Sequence, residues 1–103
     1  MISPDECVTI DEIRAAIDEL DRQLVATLSR RFAYVKAITR FKKTAEDVAA
    51  PVRVHHVIST RRAWAAETGL NPELVEQMYR LLIGHAIDEE LKQLQIDRGA
   101  VGQ

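Results

Sequence analysis

Cysteine occurs once, at Cys7, so the chain has no disulfide framework and no paired-cysteine metal or redox motif. Long apolar runs are missing, and no stretch approaches the roughly 20 residues that a membrane-spanning helix needs. The segment Met1-Ile2-Ser3-Pro4-Asp5-Glu6 lacks the basic start and apolar core of a secretory signal, so a cytoplasmic setting and no membrane association are expected. Charge of one sign is missing too. Fourteen Lys and Arg stand against sixteen Asp and Glu, a net charge of −2, and the bases are dispersed among the acids. That balance leaves no electrostatic footprint for nucleic acid. Proline and glycine are sparse, at three and four residues, and neither occurs between Thr9 and Lys43.

What is present is one small domain's worth of chain. The 103 residues are 47% apolar and 29% charged, without internal repeats, and are expected to form a single helical domain over 1–103. A first helix starts at Thr9-Ile10-Asp11-Glu12, where Thr9 caps the N3 amide and Glu12 reaches back, with acids in the first turn. Ile13, Ile17, Leu20, Leu24, Leu28, Phe32, Val35 and Ile38 then recur every three or four residues, which predicts one unbroken helix of about thirty residues. Such a helix is roughly 50 Å long. A compact chain of this length is only about 33 Å across. One copy therefore cannot cover the apolar stripe, and a two-fold homodimer is expected to do so.

Lys43 to Ala50 has weak periodicity and leads into Pro51, and reads as a mobile loop. A second helix is expected from Pro51 to Thr68, with Val54, Val57, Ile58 and Trp64 inward and Gly69 as its terminator. Asn71-Pro72-Glu73 opens a third, carrying Leu74, Val75, Met78, Leu81, Leu82, Ile87, Leu91 and Leu94 to a frayed end near Arg98-Gly99. The fold class is all-α: three helices, no strand, and an intertwined homodimer.

Cations sit on or beside the apolar stripe, at Arg14, Arg31 and Lys42, with Arg53 beyond. On one continuous helix Arg31 and Lys42 are about 20° apart in azimuth and about 16 Å in rise, so both can lean toward one ligand. Arg14 is about 25 Å from Arg31 along the axis, too far for the same small molecule. An antiparallel partner would bring its Arg14 toward this chain's Arg31 and create two shared sites. Taken singly, each cation has an ordinary explanation, because long basic side chains snorkel from apolar faces to water. Glu90 lies between Ile87 and Leu94 on a partly apolar face, but taken alone it reads as an ordinary helix-surface carboxylate, and of the adjacent Glu89 and Glu90 one must face out. Adjacent His55 and His56 diverge by about 100° on a helix and build no metal set with distant His85. Arg61-Arg62 reads as solvated surface.

The runs Ile13-Arg14-Ala15-Ala16-Ile17-Asp18-Glu19-Leu20-Asp21 and Leu28-Ser29-Arg30-Arg31-Phe32-Ala33-Tyr34-Val35 resemble the first helix of the all-helical chorismate mutases. The likeness continues through Arg40-Phe41-Lys42, Ala50-Pro51-Val52-Arg53-Val54 and Ile87-Asp88-Glu89-Glu90, and is strongest toward the branch that contains the isochorismate pyruvate lyases. This resemblance implies a homodimer of interlocked three-helix subunits acting on chorismate or isochorismate without metal or cofactor. By motif position, Arg14 from the partner subunit and Arg31 would bind the substrate carboxylates. Lys42 would reach a carboxylate and the ether oxygen, and Arg53 and Ile87 would line the pocket.

Three positions depart from the family pattern. Glutamine is common where this chain has Glu90, and its amide donates to the ether oxygen; a protonated Glu90 can donate in its place, and apolar neighbours favour the neutral acid. Ala50 and Ala86 stand where many dedicated mutases carry an acid and a hydroxyl. Their absence points toward the lyase branch, whereas Glu90 points away from it. The competing class is a non-catalytic helical dimerisation or regulatory module. Glu90 is its best support, and the joint retention of Arg14, Arg31, Lys42 and Arg53 weighs against it.

Overall fold

A computed structural model of the chain describes residues 2–101, with side chains through Gly99. After a 3-10 turn at Pro4–Glu6, helix α1 spans Ile10–Ile38, α2 Ala45–Ala49, α3 Pro51–Thr68 and α4 Pro72–Val101, and a second 3-10 turn at Thr39–Phe41 follows α1. Among the described residues there is no strand, and no helix is long and apolar enough to cross a membrane. The three long helices are those expected from the periodicity. The chain divides into two compact units, Met1–Tyr34 and Val35–Gln103.

In the first unit α1 begins as its residues dictate. The Glu12 amide donates to Thr9 Oγ1 at 3.1 Å, and the Glu12 carboxylate accepts from the Val8 amide at 3.0 Å, one residue earlier than a standard capping box. At 29 residues α1 is about 44 Å long. None of its residues is buried. The stripe remains open, from 43% exposure at Ile13 to 52% at Leu20.

The second unit has its own small core. α3 and α2 both pack on α4, and Val48, Val57, Ile58 and Ala65 are the buried apolar residues among those described. Gly69 ends α3 at φ 80°, a left-handed value that L side chains adopt at a cost, and its amide closes the last turn. Asn71 Oδ1 accepts from the Glu73 amide at 2.9 Å and starts α4, which continues past Gly99 to Val101 where fraying was expected.

Two expectations on α3 need correction. Trp64 is 52% exposed, not inward. Its ring is covered instead by the Arg61 guanidinium, 4.5 Å from the ring centroid and 5.6 Å from that of Tyr79 on α4; such stacking gives an aromatic an alternative to burial. Nor are Arg61 and Arg62 merely solvated. Arg62 reaches α4, donating to Glu73 at 2.8 Å and to Glu76 at 2.9 Å, while Arg80 donates to Glu76 at 2.7 Å. On α4 itself the expected inward face is only partly covered: Leu81 is 76% exposed, and Leu74 and Met78 are also open.

The Arg80 hydrogen bond is the largest cause that holds the Glu76 carboxyl below the ordinary glutamate value; desolvation opposes it, and the Arg62 hydrogen bond and the charges of both arginines add to the lowering. A lowered carboxyl value stabilises the folded state above the usual carboxylate range, and this contribution is lost as pH falls through the lowered value. Glu76→Gln is therefore expected to lower the urea midpoint at neutral pH, with the difference from the unmodified protein closing as pH falls below the ordinary glutamate range.

Candidate active site

The six residues singled out by sequence fall in both compact units. Arg14 and Arg31 belong to the first, where Arg14 is exposed and Arg31 half-buried. Lys42, Arg53, Ile87 and Glu90 belong to the second.

Lys42 is delivered by a change of helix type. The α-helical path stops at Ile38, because the Thr39 hydroxyl donates back to the Lys36 carbonyl at 2.6 Å and the chain tightens into the 3-10 turn. Lys42 follows in extended conformation at φ −103°, ψ 123°, its amide donating to the Thr39 carbonyl. The azimuth arithmetic that placed Lys42 on one continuous helix with Arg31 therefore does not hold, since α-helical rotation ends four residues short of it.

The segment expected as a loop contains α2. Thr44 Oγ1 accepts from the Asp47 amide at 3.1 Å while Asp47 Oδ2 accepts from the Thr44 and Lys43 amides at 3.1 and 3.0 Å, a reciprocal cap. Those two backbone donors, Lys43 first, hold the Asp47 carboxyl below its usual range. Val48, 2% exposed, anchors α2 on α4. Ala50 then turns the chain at φ 38°, ψ 59°, left-handed for a residue with a Cβ and followed directly by Pro51, which excludes the ordinary helical alternative. The same residue closes α2 through its amide, bonded to Glu46, and opens α3 through its carbonyl, bonded to Val54. Arg53 is thereby set in the first turn of α3.

Lys42 stands between two hollows. One is open, about 730 Å³, and lined by Lys42, Arg53, His56, Glu46, Asp47 and Phe41 among others. That volume suits a small organic anion. The other is about 10 Å³, lined by Lys42, Glu90, Thr39, Val48, Gln93, Leu94 and Asp97, with room for about one water. Across it Lys42 Nζ bonds Glu90 Oε2 at 3.1 Å, and Glu90 is 6% exposed. Glu89 faces out toward Lys92 at 3.5 Å, so of the two adjacent acids Glu90 is the one turned inward and not a surface carboxylate.

The structure thus brings Lys42 together with Arg53 in one hollow and with Glu90 in the other. Ile87 is half-buried and lines neither. The surroundings of Glu90 are apolar only in part, because a cation is bonded to it. Sequence reading missed His56, which lines the open hollow. The available signal was its position three residues after Arg53, hence on the same helical face.

An all-helical chain whose lysine and arginine line an open hollow of mixed charge is a recognisable class. The chain belongs to the chorismate mutase type II family, which it matches over residues 13–91. It is 39% identical over 100 residues to the isochorismate pyruvate lyase of Pseudomonas aeruginosa, an alignment covering 97% of this chain and 99% of that protein.

The anchoring role of Val48 gives a direct expectation. Val48→Ala removes two buried carbons and leaves a gap under α2, lowering stability by about 2 kcal/mol in urea denaturation. Amide exchange should accelerate most in α2.

Proposed function

We propose that this protein is a cytoplasmic pericyclic enzyme acting on chorismate or isochorismate, with one helical domain per chain and two active sites shared across a homodimer. The observation that carries the reading is the extent of the family match, which begins one residue before Arg14 and ends one residue after Glu90, enclosing all six site residues. Similarity to a lyase over nearly the whole chain supports the isochorismate reaction beside the mutase one. The open apolar stripes of α1 and α4 support the dimer, since exposed contiguous apolar surface of this kind marks an interface.

In the mutase reaction the enolpyruvyl ether of chorismate rearranges within one molecule: the C–O bond breaks as a C–C bond forms, giving prephenate. In the lyase reaction a ring hydrogen of isochorismate moves to the enolpyruvyl methylene while the C–O bond breaks, giving salicylate and pyruvate. Neither reaction transfers a group to the protein. Catalysis consists of holding the folded conformer and stabilising negative charge on the departing ether oxygen. In this reading Arg31 and the partner's Arg14 clamp the carboxylates, Lys42 faces a carboxylate and the ether oxygen, Arg53 and Ile87 line the pocket, and Glu90 approaches the same oxygen.

Purified protein incubated separately with chorismate and isochorismate, scored for prephenate and for salicylate plus pyruvate, tests the activity. Product from at least one substrate is expected, and Lys42→Ala should reduce kcat/KM by about 10²–10³-fold. Turnover of neither substrate would overturn the reading.

The shared site has its own test. Arg14→Ala and Arg31→Ala homodimers are each expected to be nearly inactive. Co-expressed, they form heterodimers with one intact site, and random pairing should restore about a quarter of the unmodified activity. No recovery in isolated heterodimers would place both arginines in one chain's site.

A further inference from the structure

The open hollow suits an anion, yet two acids line it. Glu46 and Asp47 of α2 stand there beside Lys42 and Arg53, which supply its fixed positive charge. A carboxylate repels a dicarboxylate ligand, so each acid calls for a physical reason. Asp47 has one, since its carboxylate accepts from the Lys43 and Thr44 amides and caps α2. Glu46 has no such duty: among the described residues its carboxylate has no hydrogen bond or ion pair. We infer that Glu46 is a specificity-determining residue, which accepts a hydrogen bond from the ring hydroxyl of the ligand. This inference rests on the reading of the site as one for a hydroxylated enolpyruvyl ether dicarboxylate.

The donors and acceptors of such a ligand lead to the same residue. Chorismate and isochorismate each carry two carboxylates, an ether oxygen and one hydroxyl, and the hydroxyl is the one group that donates. Lys42 and Arg53 only donate, so they serve the carboxylates and the ether oxygen and leave the hydroxyl proton unmet. An ionised carboxylate only accepts, so Glu46 repels every other polar group of the molecule and attracts this one. Ala50, Pro51 and Val52 also line the hollow and have no polar side-chain atom. His56, one turn beyond Arg53 on α3, can both donate and accept, and so does not discriminate between these groups.

Placement turns this preference into selection. The Ala50 amide donates to the Glu46 carbonyl at 2.9 Å and the Ala50 carbonyl accepts from Val54 at 3.0 Å, so one residue ties the turn bearing Glu46 to the turn bearing Arg53. Buried Val48 fastens the first of these turns to α4. Acceptor and cation are thereby held at a fixed separation. The two substrates differ in which neighbour of the ether carbon bears the hydroxyl, the one toward the ring carboxylate in isochorismate and the one away from it in chorismate. A fixed acceptor meets one of these placements and misses the other.

The test pairs a change in the ligand with a change in the protein. A saturated cyclohexane ether dicarboxylate, which cannot react, is made without a hydroxyl and with one on either side of the ether carbon, and each form is titrated calorimetrically into the full-length protein and into Glu46→Ala. In the unmodified protein one hydroxylated form should bind about tenfold more tightly than the hydroxyl-free form, the effect of one charged hydrogen bond. Glu46→Ala should erase that difference, while binding the hydroxyl-free form about two- to fivefold more tightly because a repulsive charge is gone. The same variant should lower kcat/KM by about tenfold for the substrate with the matching hydroxyl placement. Hydroxyl dependence that survives in Glu46→Ala would overturn the inference and leave the site reading intact, and so would equal weakening of all three forms, the mark of a merely structural glutamate. Absence of binding by every form to the unmodified protein would overturn the site reading and the inference with it. The three forms on the unmodified protein are decisive even where the variant folds poorly, since a hydroxyl that adds no affinity in either position has no acceptor in Glu46.

Discussion

A carboxylate withdrawn from water must have a partner, and the Lys42–Glu90 ion pair answers that need across 48 residues of sequence. Much of the local architecture serves it. The 3-10 turn that breaks α1 re-aims the chain so that Lys42 leaves in extended conformation, the reciprocal Thr44–Asp47 cap fixes the next residues, and buried Val48 fastens them to α4. α4 in turn is held to α3 through the ion pairs of Arg62 with Glu73 and Glu76 and through Arg61, which lies over both Trp64 and Tyr79. A small core of Val48, Val57, Ile58 and Ala65 thus supports a charged contact at its edge.

The limits of one chain are visible in the same fold. Helix α1 is amphipathic yet has no fully buried residue, and α4 leaves Leu74, Met78 and Leu81 open. Under the proposed reading this division has a physical sense: the long helix would be both scaffold and carrier of the anion clamp, with its apolar face addressed to a second copy. The cations beside that face are then placed where association would withdraw them from water.

The start of α1 at Thr9, the Pro51 and Gly69 boundaries of α3 and the Asn71-Pro72 start of α4 were legible because each depends on a local signal that one or two residues carry. α2 was not. Five helical residues give too few repeats for a period, and the usable signal was the Thr44-x-x-Asp47 pattern, with Asp in the place of the usual Glu or Gln. Trp64 was misread because periodicity reports a face and not what covers it, and here a cation from the preceding turn does so. The site residues could be picked out singly, through charge beside an apolar stripe and through family motifs. Their pairing could not, since nothing local in the sequence tells Lys42 that its partner is Glu90.

Ala50 has a wider consequence. One residue serves as the end of α2 and the start of α3, in a backbone conformation that Pro51 leaves little freedom to change. The joint therefore behaves as a fixed elbow without slack. Adding or deleting one residue there would rotate everything downstream on α3 by about 100° and swing Arg53 away from Lys42. In a lineage of such proteins, length variation should accumulate before Thr44 or after Gly69, and the elbow itself should keep its spacing.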